Sequence, residues 1–120
     1  MRIILALMVV TICSGVWPDR AIAQPLGVSG LTTMCQAEEG NTNSAGDPTP
    51  CRSFITGVGM MMTLMSKDPK KRPFCKPEFV SSEEVRDTVL LYIRAHPKLD
   101  NMPARNAVAQ ALTQSYPCTR

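Results

Sequence analysis

The residues best suited to chemistry in this chain of 120 residues are its five cysteines and its single histidine. A cysteine thiolate can act as a nucleophile or a metal ligand, and histidine titrates near neutral pH. No two cysteines are spaced as C-x-x-C, the usual arrangement in structural zinc sites, and His96 has no evident nucleophile or ligand to work with. The G-x-S-x-G, H-E-x-x-H and P-loop motifs are also missing from the sequence. We therefore predict that the protein is not an enzyme and has no catalytic residue, metal or cofactor.

The first 23 residues follow the plan of a secretory signal peptide. Arg2 precedes a mostly apolar run from Ile3 to Trp17, and Ala21-Ile22-Ala23 is a small-residue cleavage pattern. The run is shorter than the roughly 20 residues that a membrane-spanning helix needs. We therefore predict cleavage after Ala23, export to the periplasm, and a mature domain over 24–120 without a membrane span.

Removal of this leader reduces the number of cysteines from five to four. Cys13 leaves with the leader, and lipidation there is disfavoured because the bulky Ile12 precedes it. The remaining four are Cys35, Cys51, Cys75 and Cys118. Four cysteines in a short exported chain predict two disulfides, for which three connectivities exist.

Four segments carry the three-and-four spacing of apolar residues that is typical of helices, and none shows sustained strand alternation. We predict the first helix over about Gly30–Glu38 and the second from Cys51 to about Met65. Gly57 and Gly59 weaken the second helix by about 1 kcal/mol each relative to alanine. We expect the close approach of another helix backbone to compensate. The fold class is therefore all-α, a small disulfide-linked bundle of about four helices.

The third and fourth predicted helices have clearer boundaries. The third begins at a capping box formed by Ser81 and Glu84. It ends at Pro97, where the side chain of His96 can serve the last carbonyls. The fourth begins near Asn101 as its N-cap. The apolar face of the third helix is predicted to comprise Val85, Val89, Tyr92, Ile93 and His96, and that of the fourth Ala104, Ala107, Val108, Ala111, Leu112 and Tyr116.

A short turn between these two helices predicts an antiparallel pair. The start of one helix then lies near the end of the other, and Cys75 and Cys118 flank those two ends. Cys35 and Cys51 similarly flank the loop between the first two helices. We favour the pairs Cys35–Cys51 and Cys75–Cys118, although the sequence leaves the other two connectivities open.

Basic residues are concentrated in one segment, residues 67–76, which we call the basic segment. The whole chain has a formal net charge of only +3, which does not indicate nucleic-acid binding. The basic segment, however, has five basic residues against one acidic residue, Asp68. It is either a solvated loop or a restrained prong that meets a partner, with candidate contacts at Lys70, Lys71, Arg72, Phe74 and Lys76. The turn-forming stretch 40–50 is an alternative for this role.

Three consecutive methionines follow Gly59 in the second predicted helix. They cannot all face the same side of a helix, so at least one should point away from the core. Methionine adapts to irregular contacts and is common at binding surfaces. We therefore add Met60 and Met61 to the candidate partner contacts. An outward methionine is a candidate dimer contact, and the others are expected to fill the core.

Taken together, these motifs resemble the Rap/Tai family, immunity proteins of type VI secretion in Gram-negative bacteria. The resemblance covers about residues 31–118 and rests on Cys51-Arg-Ser-Phe-Ile-Thr-Gly-Val, Cys75-Lys-Pro, Val80-Ser-Ser-Glu-Glu-Val, Tyr92-Ile-Arg-Ala-His-Pro, Pro103-Ala and Tyr116-Pro-Cys. The resemblance implies a small, exported, helical, disulfide-containing protein that forms a homodimer. It also implies a non-catalytic role, in which the protein binds a peptidoglycan amidase toxin and blocks its active site. The sequence departs from the family pattern at Gly59-Met60-Met61-Met62, where members often carry an acidic residue.

Two other functions are compatible with a small exported helical protein. One is a periplasmic acid-stress chaperone, but such a protein needs many carboxylates as a low-pH switch, and here basic residues outnumber acidic ones. The other is a general envelope-binding protein that has kept the fold without a toxin partner. The open reading frame beside the gene would separate these hypotheses.

Overall fold

Four α-helices lie within the residues that the structure describes, 24–39 and 49–118. In this computed structural model they are α1 (Val28–Glu39), α2 (Pro50–Met65), α3 (Ser82–Ala95) and α4 (Ala104–Ser115). Short 3-10 helices occur at Pro69–Lys71 and Pro97–Asn101. The described ranges contain no strand beyond an isolated bridge between Gly27 and Pro103. The all-α prediction is confirmed.

Two of the sequence predictions fall wholly or largely outside this described part of the chain. The signal peptide, 1–23, lies outside it, and so do residues 40–48 of the turn-forming stretch. At the end of that stretch Thr49 is buried, and Pro50 is the first residue of α2. Proline suits this position because the first helical N–H has no partner within the helix. Helix α2 thus begins one residue earlier than predicted.

The core is formed by one face of each helix. Leu31 of α1, Ile55 of α2, Val89 of α3 and Val108 of α4 are all at most 2% exposed. Helix α4 contributes three fully buried alanines to this core, and such small side chains allow neighbouring helices to approach closely. The buried faces predicted for α3 and α4 are confirmed except at their C-terminal ends, where Tyr92 and Tyr116 are half-buried and His96 is exposed.

Helix α3 begins as its sequence predicts. The side-chain oxygen of Ser81 accepts a hydrogen bond from the backbone N–H of Glu84 at 3.1 Å, which satisfies one of the unpaired donors at the helix start. Glu83 and Glu84 lie in the first turn, where negative charge interacts favourably with the helix dipole.

Helix α4 begins differently from the prediction. Asn101 is the last residue of the preceding 3-10 helix and does not cap α4. Instead, the backbone N–H of Ala104 donates to the carbonyl of Leu26 at 2.8 Å, beside the bridge between Gly27 and Pro103. The chain that leads into α1 therefore satisfies the start of α4, a contact that local sequence cannot reveal.

In the described part of the chain, two disulfides join the elements. Cys35 is bonded to Cys51, and Cys75 to Cys118, with Cα–Cα distances of 5.0 and 4.9 Å. These are the pairs favoured from the sequence. The first links α1 to α2, and the second joins the segment before α3 to the residues after α4, as an antiparallel α3–α4 pair requires. No helix in the described ranges has both the length and the apolar character needed to cross a bilayer.

Candidate functional site

An open groove lies between α2, the basic segment and the start of α3. Its volume is about 540 Å³. The lining residues that are buried or half-buried form its floor, and all of them are apolar: Ile55, Gly59, Phe74, Val85 and Leu112. Its two charged lining residues are Arg72 and Lys76, both basic. The groove can therefore receive an apolar group that carries negative charge beside it.

The floor of the groove depends on a glycine. A Cβ atom at Gly59 would lie 3.1 Å from Cζ of Phe74 and 3.5 Å from Cδ1 of Leu112. The absence of a side chain thus lets the ring of Phe74 pack against α2. The expected approach of a helix backbone is wrong at Gly59, because the close neighbours are the side chains of Phe74 and Leu112. At Gly57 the expectation is wrong within a single chain, because no atom of the described residues beyond its chain neighbours and the adjacent backbone of α2 lies within 4 Å of the equivalent position.

The basic segment is attached to the fold at both ends. At one end, the hydroxyl of Ser66, which directly follows α2, donates to the carbonyls of Asp68 at 3.1 Å and Lys71 at 2.9 Å. At the other end, Cys75 is held by its disulfide and by its N–H, which donates to the carbonyl of Tyr116 at 2.8 Å. The segment is therefore restrained before any partner arrives, which lowers the entropy lost on binding.

Lys76 has a structural task in addition to its place in the groove. Its ammonium donates to the carbonyls of Val80 at 2.7 Å and Pro77 at 3.3 Å. These bonds brace a turn closed by the N–H of Val80, which donates to Pro77 at 3.2 Å. The turn presents Phe79, whose side chain is 88% exposed. Sequence reasoning did not single out Phe79, since an aromatic residue between two polar stretches gives no sign of its exposure.

The methionines divide between core and solvent as predicted. Met62 packs against the core, whereas Met60 and Met61 are 60% and 57% exposed. Leu64 and Met65 are also exposed. With Gly57 these exposed residues form a stripe at three-and-four spacing, which we call the outer face of α2: Gly57, Met60, Met61, Leu64 and Met65. Helix α2 thus has two apolar faces, one in the core and one open to solvent.

The structure brings together four of the seven candidate contact residues. Met60, Arg72, Phe74 and Lys76 line the groove, whereas Lys70, Lys71 and Met61 are exposed outside it. Within the described part of the chain, no ion pair involves the side chains of the basic segment. Its positive charge is therefore available to a partner, and the contact itself stays a prediction.

A buried charge cluster, which the sequence analysis did not identify, joins the first three helices. Nε of Arg52 donates to Oε1 of Glu38 and to the hydroxyl of Thr49, each at 3.1 Å. A terminal nitrogen of Arg52 also donates to Glu83 of α3 at 3.3 Å. Arg86 of α3 donates to the same oxygen of Glu38 at 3.2 Å. One carboxylate thus receives hydrogen bonds from two helices.

The cluster keeps its buried groups charged. Burial alone would raise the pKa of Glu38, but hydrogen bonds from Thr49 and Arg86, with the charges of Arg86 and Arg52, hold it below its ordinary value of 4.5. The carboxylate of Asp87, which accepts a hydrogen bond from Arg86 at 2.8 Å, is the main cause that raises the pKa of Arg86. This cluster lies apart from the groove and serves the fold, because none of its members lines the groove.

His96 directly follows helix α3 as its C-cap. Its Nδ1–H donates to the carbonyl of Tyr92 at 2.7 Å, and its ring stacks on the Tyr92 ring with a centroid distance of 4.0 Å. The predicted role at the last carbonyls is confirmed. In the ranges 24–39 and 49–118, no three His, Cys, Asp or Glu residues form a group that could hold a metal ion.

The fold and the exposed apolar and basic surface define a small, helical, disulfide-linked protein suited to binding another protein. Residues 28–118 match the model of a family described as Rap1a immunity proteins. This match covers 91 of the 120 residues, so the chain belongs to the Rap1a immunity protein family. The resemblance to the Rap/Tai family is thereby confirmed. No curated protein and no solved structure matches the chain.

Family membership suggests an immunity protein against a type VI secretion effector. Members of the family are generally non-catalytic and typically exported. The two disulfides fit an oxidising compartment.

Proposed function

We propose that this protein is a periplasmic immunity protein that binds a peptidoglycan amidase effector of type VI secretion and blocks its active site without turnover. The observation that carries this proposal is the family match over residues 28–118. Two further observations support it: the leader-like sequence of residues 1–23 and the two disulfides. Both fit a protein that meets its effector outside the cytoplasm.

The contact surface in this proposal is the basic segment with the neighbouring part of α2. The exposed cations of Lys70, Lys71 and Arg72 should speed encounter with an acidic surface. Phe74 and Lys76 hold the groove and the adjoining turn in shape. Because this surface is restrained by a disulfide, binding orders little additional chain.

A co-expression experiment tests the function. A peptidoglycan amidase, sought in the open reading frame beside the gene, is directed to the periplasm of a bacterial host, with or without this chain. We expect the full chain to prevent lysis and to form a stoichiometric complex with the amidase. A chain that lacks residues 1–23 should fold poorly in the reducing cytoplasm and give no protection. Lysis in the presence of the full chain, together with the lack of any complex, would contradict the proposal.

The same strain tests the predicted leader. Mass spectrometry of the periplasmic protein should find Gln24 as the first residue and four cysteines paired as two disulfides. A retained leader, or lipid on Cys13, would contradict this part of the proposal.

Charge reversal tests the basic segment. The triple variant Lys70→Glu, Lys71→Glu and Arg72→Glu should slow association with the amidase by about tenfold or more at low salt. A matched control reverses three exposed basic residues elsewhere: Arg94→Glu, Lys98→Glu and Arg105→Glu. Equal association rates for the two triple variants would remove the basic segment from the mechanism.

We further propose that the protein is a homodimer that buries the part of the outer face of α2 formed by Gly57, Met61 and Met65, none of which lines the groove. Gly57 leaves open space on this face, so the backbone of a second helix can approach closely there, and Met61 and Met65 provide exposed apolar contacts on either side. The double variant Met61→Glu and Met65→Glu should therefore be a monomer by analytical ultracentrifugation. Leu91→Glu, at an exposed apolar position of α3, is the control and should leave the dimer intact. A wild-type protein that sediments as a monomer would contradict the proposal.

A further inference from the structure

The chemical character of the groove beside α2 indicates what kind of segment would bind in it. Every residue of its floor is apolar, and its only charged lining residues within the described chain are Arg72 and Lys76. Neither an aspartate nor a glutamate lines it in the described ranges. An occupant that combines apolar side chains with carboxylates would complement both features.

The groove exists before an occupant binds. Phe74 packs on α2 through the gap at Gly59, and Cys75, which also lines the groove, is bonded to Cys118. The hydroxyl of Thr63 already donates to the carbonyl of Gly59 at 3.0 Å, so this lining residue does not need a polar group from an occupant. Because the floor is fixed by these contacts, an inserted apolar side chain need not reorganise it.

The shape of the groove favours a protein segment over a small molecule. Small-molecule sites enclose most of the surface of their ligand, whereas this groove of about 540 Å³ is open along one side. Two of its lining residues, Met60 and Leu64, are 60% and 73% exposed. Such a trough can hold the side chains of a segment whose backbone stays attached to a folded partner.

We propose that this groove receives a segment of the effector in which one or two large apolar side chains are flanked by aspartate or glutamate. The inference rests on the proposed immunity function and adds the direction of insertion: the effector supplies the inserted segment and this protein supplies the receptor. The cations of the basic segment, which form no ion pair within the described chain, would lie beside the flanking carboxylates of that segment.

The first test uses peptides as probes. A short fluorescein-labelled peptide with leucine and phenylalanine flanked by glutamates is titrated with the wild-type protein, beside a counterpart with lysine in place of glutamate. We expect the acidic peptide to bind and to shift the amide resonances of the groove residues, and the basic peptide not to bind. Equal binding of the two peptides, no binding of the acidic one, or shifts confined to another surface would overturn the inference.

Two groove variants, each with a matched control, test the site. Thr56→Trp places a large ring at an exposed lining position, and Arg72→Glu reverses the charge of an exposed lining residue. Each should weaken binding of both the acidic peptide and the amidase effector by about tenfold or more. The controls, Thr33→Trp on α1 and Arg94→Glu on α3, change exposed residues outside the groove and should leave binding unchanged. Circular dichroism of each variant checks that the helices are intact.

The outcomes separate this inference from the immunity function. If the effector binds wild type and both groove variants equally, the groove is not the receptor, although the immunity function stands. If no amidase binds the wild type while the acidic peptide binds in the groove, the effector is not the source of the segment and the immunity function fails. A dimer that Arg72→Glu converts to a monomer, while Met61→Glu with Met65→Glu leaves it intact, would show that a second copy occupies the groove, which would also overturn the inference.

Discussion

Nε of Arg52 lies 3.1 Å from Oε1 of Glu38, and the two side chains are only 8% and 4% exposed. Glu38 is in the last turn of α1, and Arg52 is in the first turn of α2. Each charge therefore stands at the helix end where the helix dipole disfavours it. Since neither is favoured by its own helix, their mutual attraction and the hydrogen bonds around them keep both charges buried.

We expect Arg52→Ala to destabilise the protein by about 1.5–3 kcal/mol, because Glu38 loses one of its two cationic partners and the hydroxyl of Thr49 loses the hydrogen bond that Arg52 donates to it. Urea unfolding followed by circular dichroism measures this change. Arg94→Ala removes the same charge from an exposed position and should change stability by no more than about 0.5 kcal/mol. A similar small effect at Arg52 would show that the pair contributes little to the fold.

The helices were predictable because their signals are local. The capping residue Ser81, the proline at position 97 and the three-and-four spacing of apolar residues all lie within the helices or directly beside them. The disulfide pairs could also be predicted, since Cys35 and Cys51 flank the loop between the first two helices, whereas Cys75 and Cys118 flank the pair formed by the last two. The start of α4 could not be predicted in this way, because the N–H of its first residue donates to the carbonyl of Leu26, which is distant in the sequence.

The charge cluster was missed for the same reason. Arg52 is 14 residues from Glu38, and Arg86 is 48 residues from it, so no local pattern brings them together. A usable signal did exist: an acidic residue in the last turn of one predicted helix and a basic residue in the first turn of the next. A charge that its own helix dipole disfavours needs a compensating partner. In the sequence, Glu38 and Arg52 are the nearest such partners for one another.

The groove was only half predictable. The spacing of the methionines predicted that one of them points outward, and the charge of the basic segment was evident from composition. The depth of the groove, however, depends on Phe74 packing at Gly59, a match of shapes between side chains that periodicity does not encode.

The depressed pKa of Glu38 predicts an acid-sensitive contribution to stability. A carboxyl whose pKa is lower in the folded state stabilises the fold above its unfolded pKa, and this contribution is lost as the pH falls through the folded value. For Glu38 the loss therefore begins near its ordinary value of 4.5 and continues below it. We expect Glu38→Gln to have a lower free energy of unfolding than wild type at neutral pH. This difference should shrink as the pH falls toward about 3.

Urea unfolding of wild type and Glu38→Gln across this pH range measures the gap directly. Glu39→Gln makes the same charge change at an exposed neighbouring residue, so it controls for net charge. A stability gap that stays constant from neutral to acid pH would show that Glu38 does not titrate in this way.

The two disulfides should differ in their access to reductant. Cys35 and Cys51 are fully buried, whereas Cys75 is exposed and Cys118 half-buried. Attack by an external thiolate requires access to a sulfur atom. Brief treatment of the folded protein with dithiothreitol should therefore open Cys75–Cys118 first, as read by alkylation and peptide mass spectrometry.

The control for this experiment is the same treatment in denaturant, where both disulfides should open at similar rates because burial no longer protects either. If Cys35 and Cys51 are alkylated in the folded protein as early as Cys75 and Cys118, the result would contradict the burial of the disulfide between α1 and α2.

Gly57 and Gly59 form a matched pair for testing the packing of Phe74. Gly57→Ala adds a methyl group in open space and should stabilise the monomer by about 0.5–1 kcal/mol through helix propensity. Gly59→Ala gains the same propensity but places Cβ 3.1 Å from the Phe74 ring, so the ring must move and the gain should be lost or reversed. Urea unfolding at low protein concentration compares the two variants as monomers, and the aromatic proton resonances of Phe74 report the displacement. Equal stabilisation by both substitutions would contradict the packing of Phe74 at Gly59, and with it the floor of the groove.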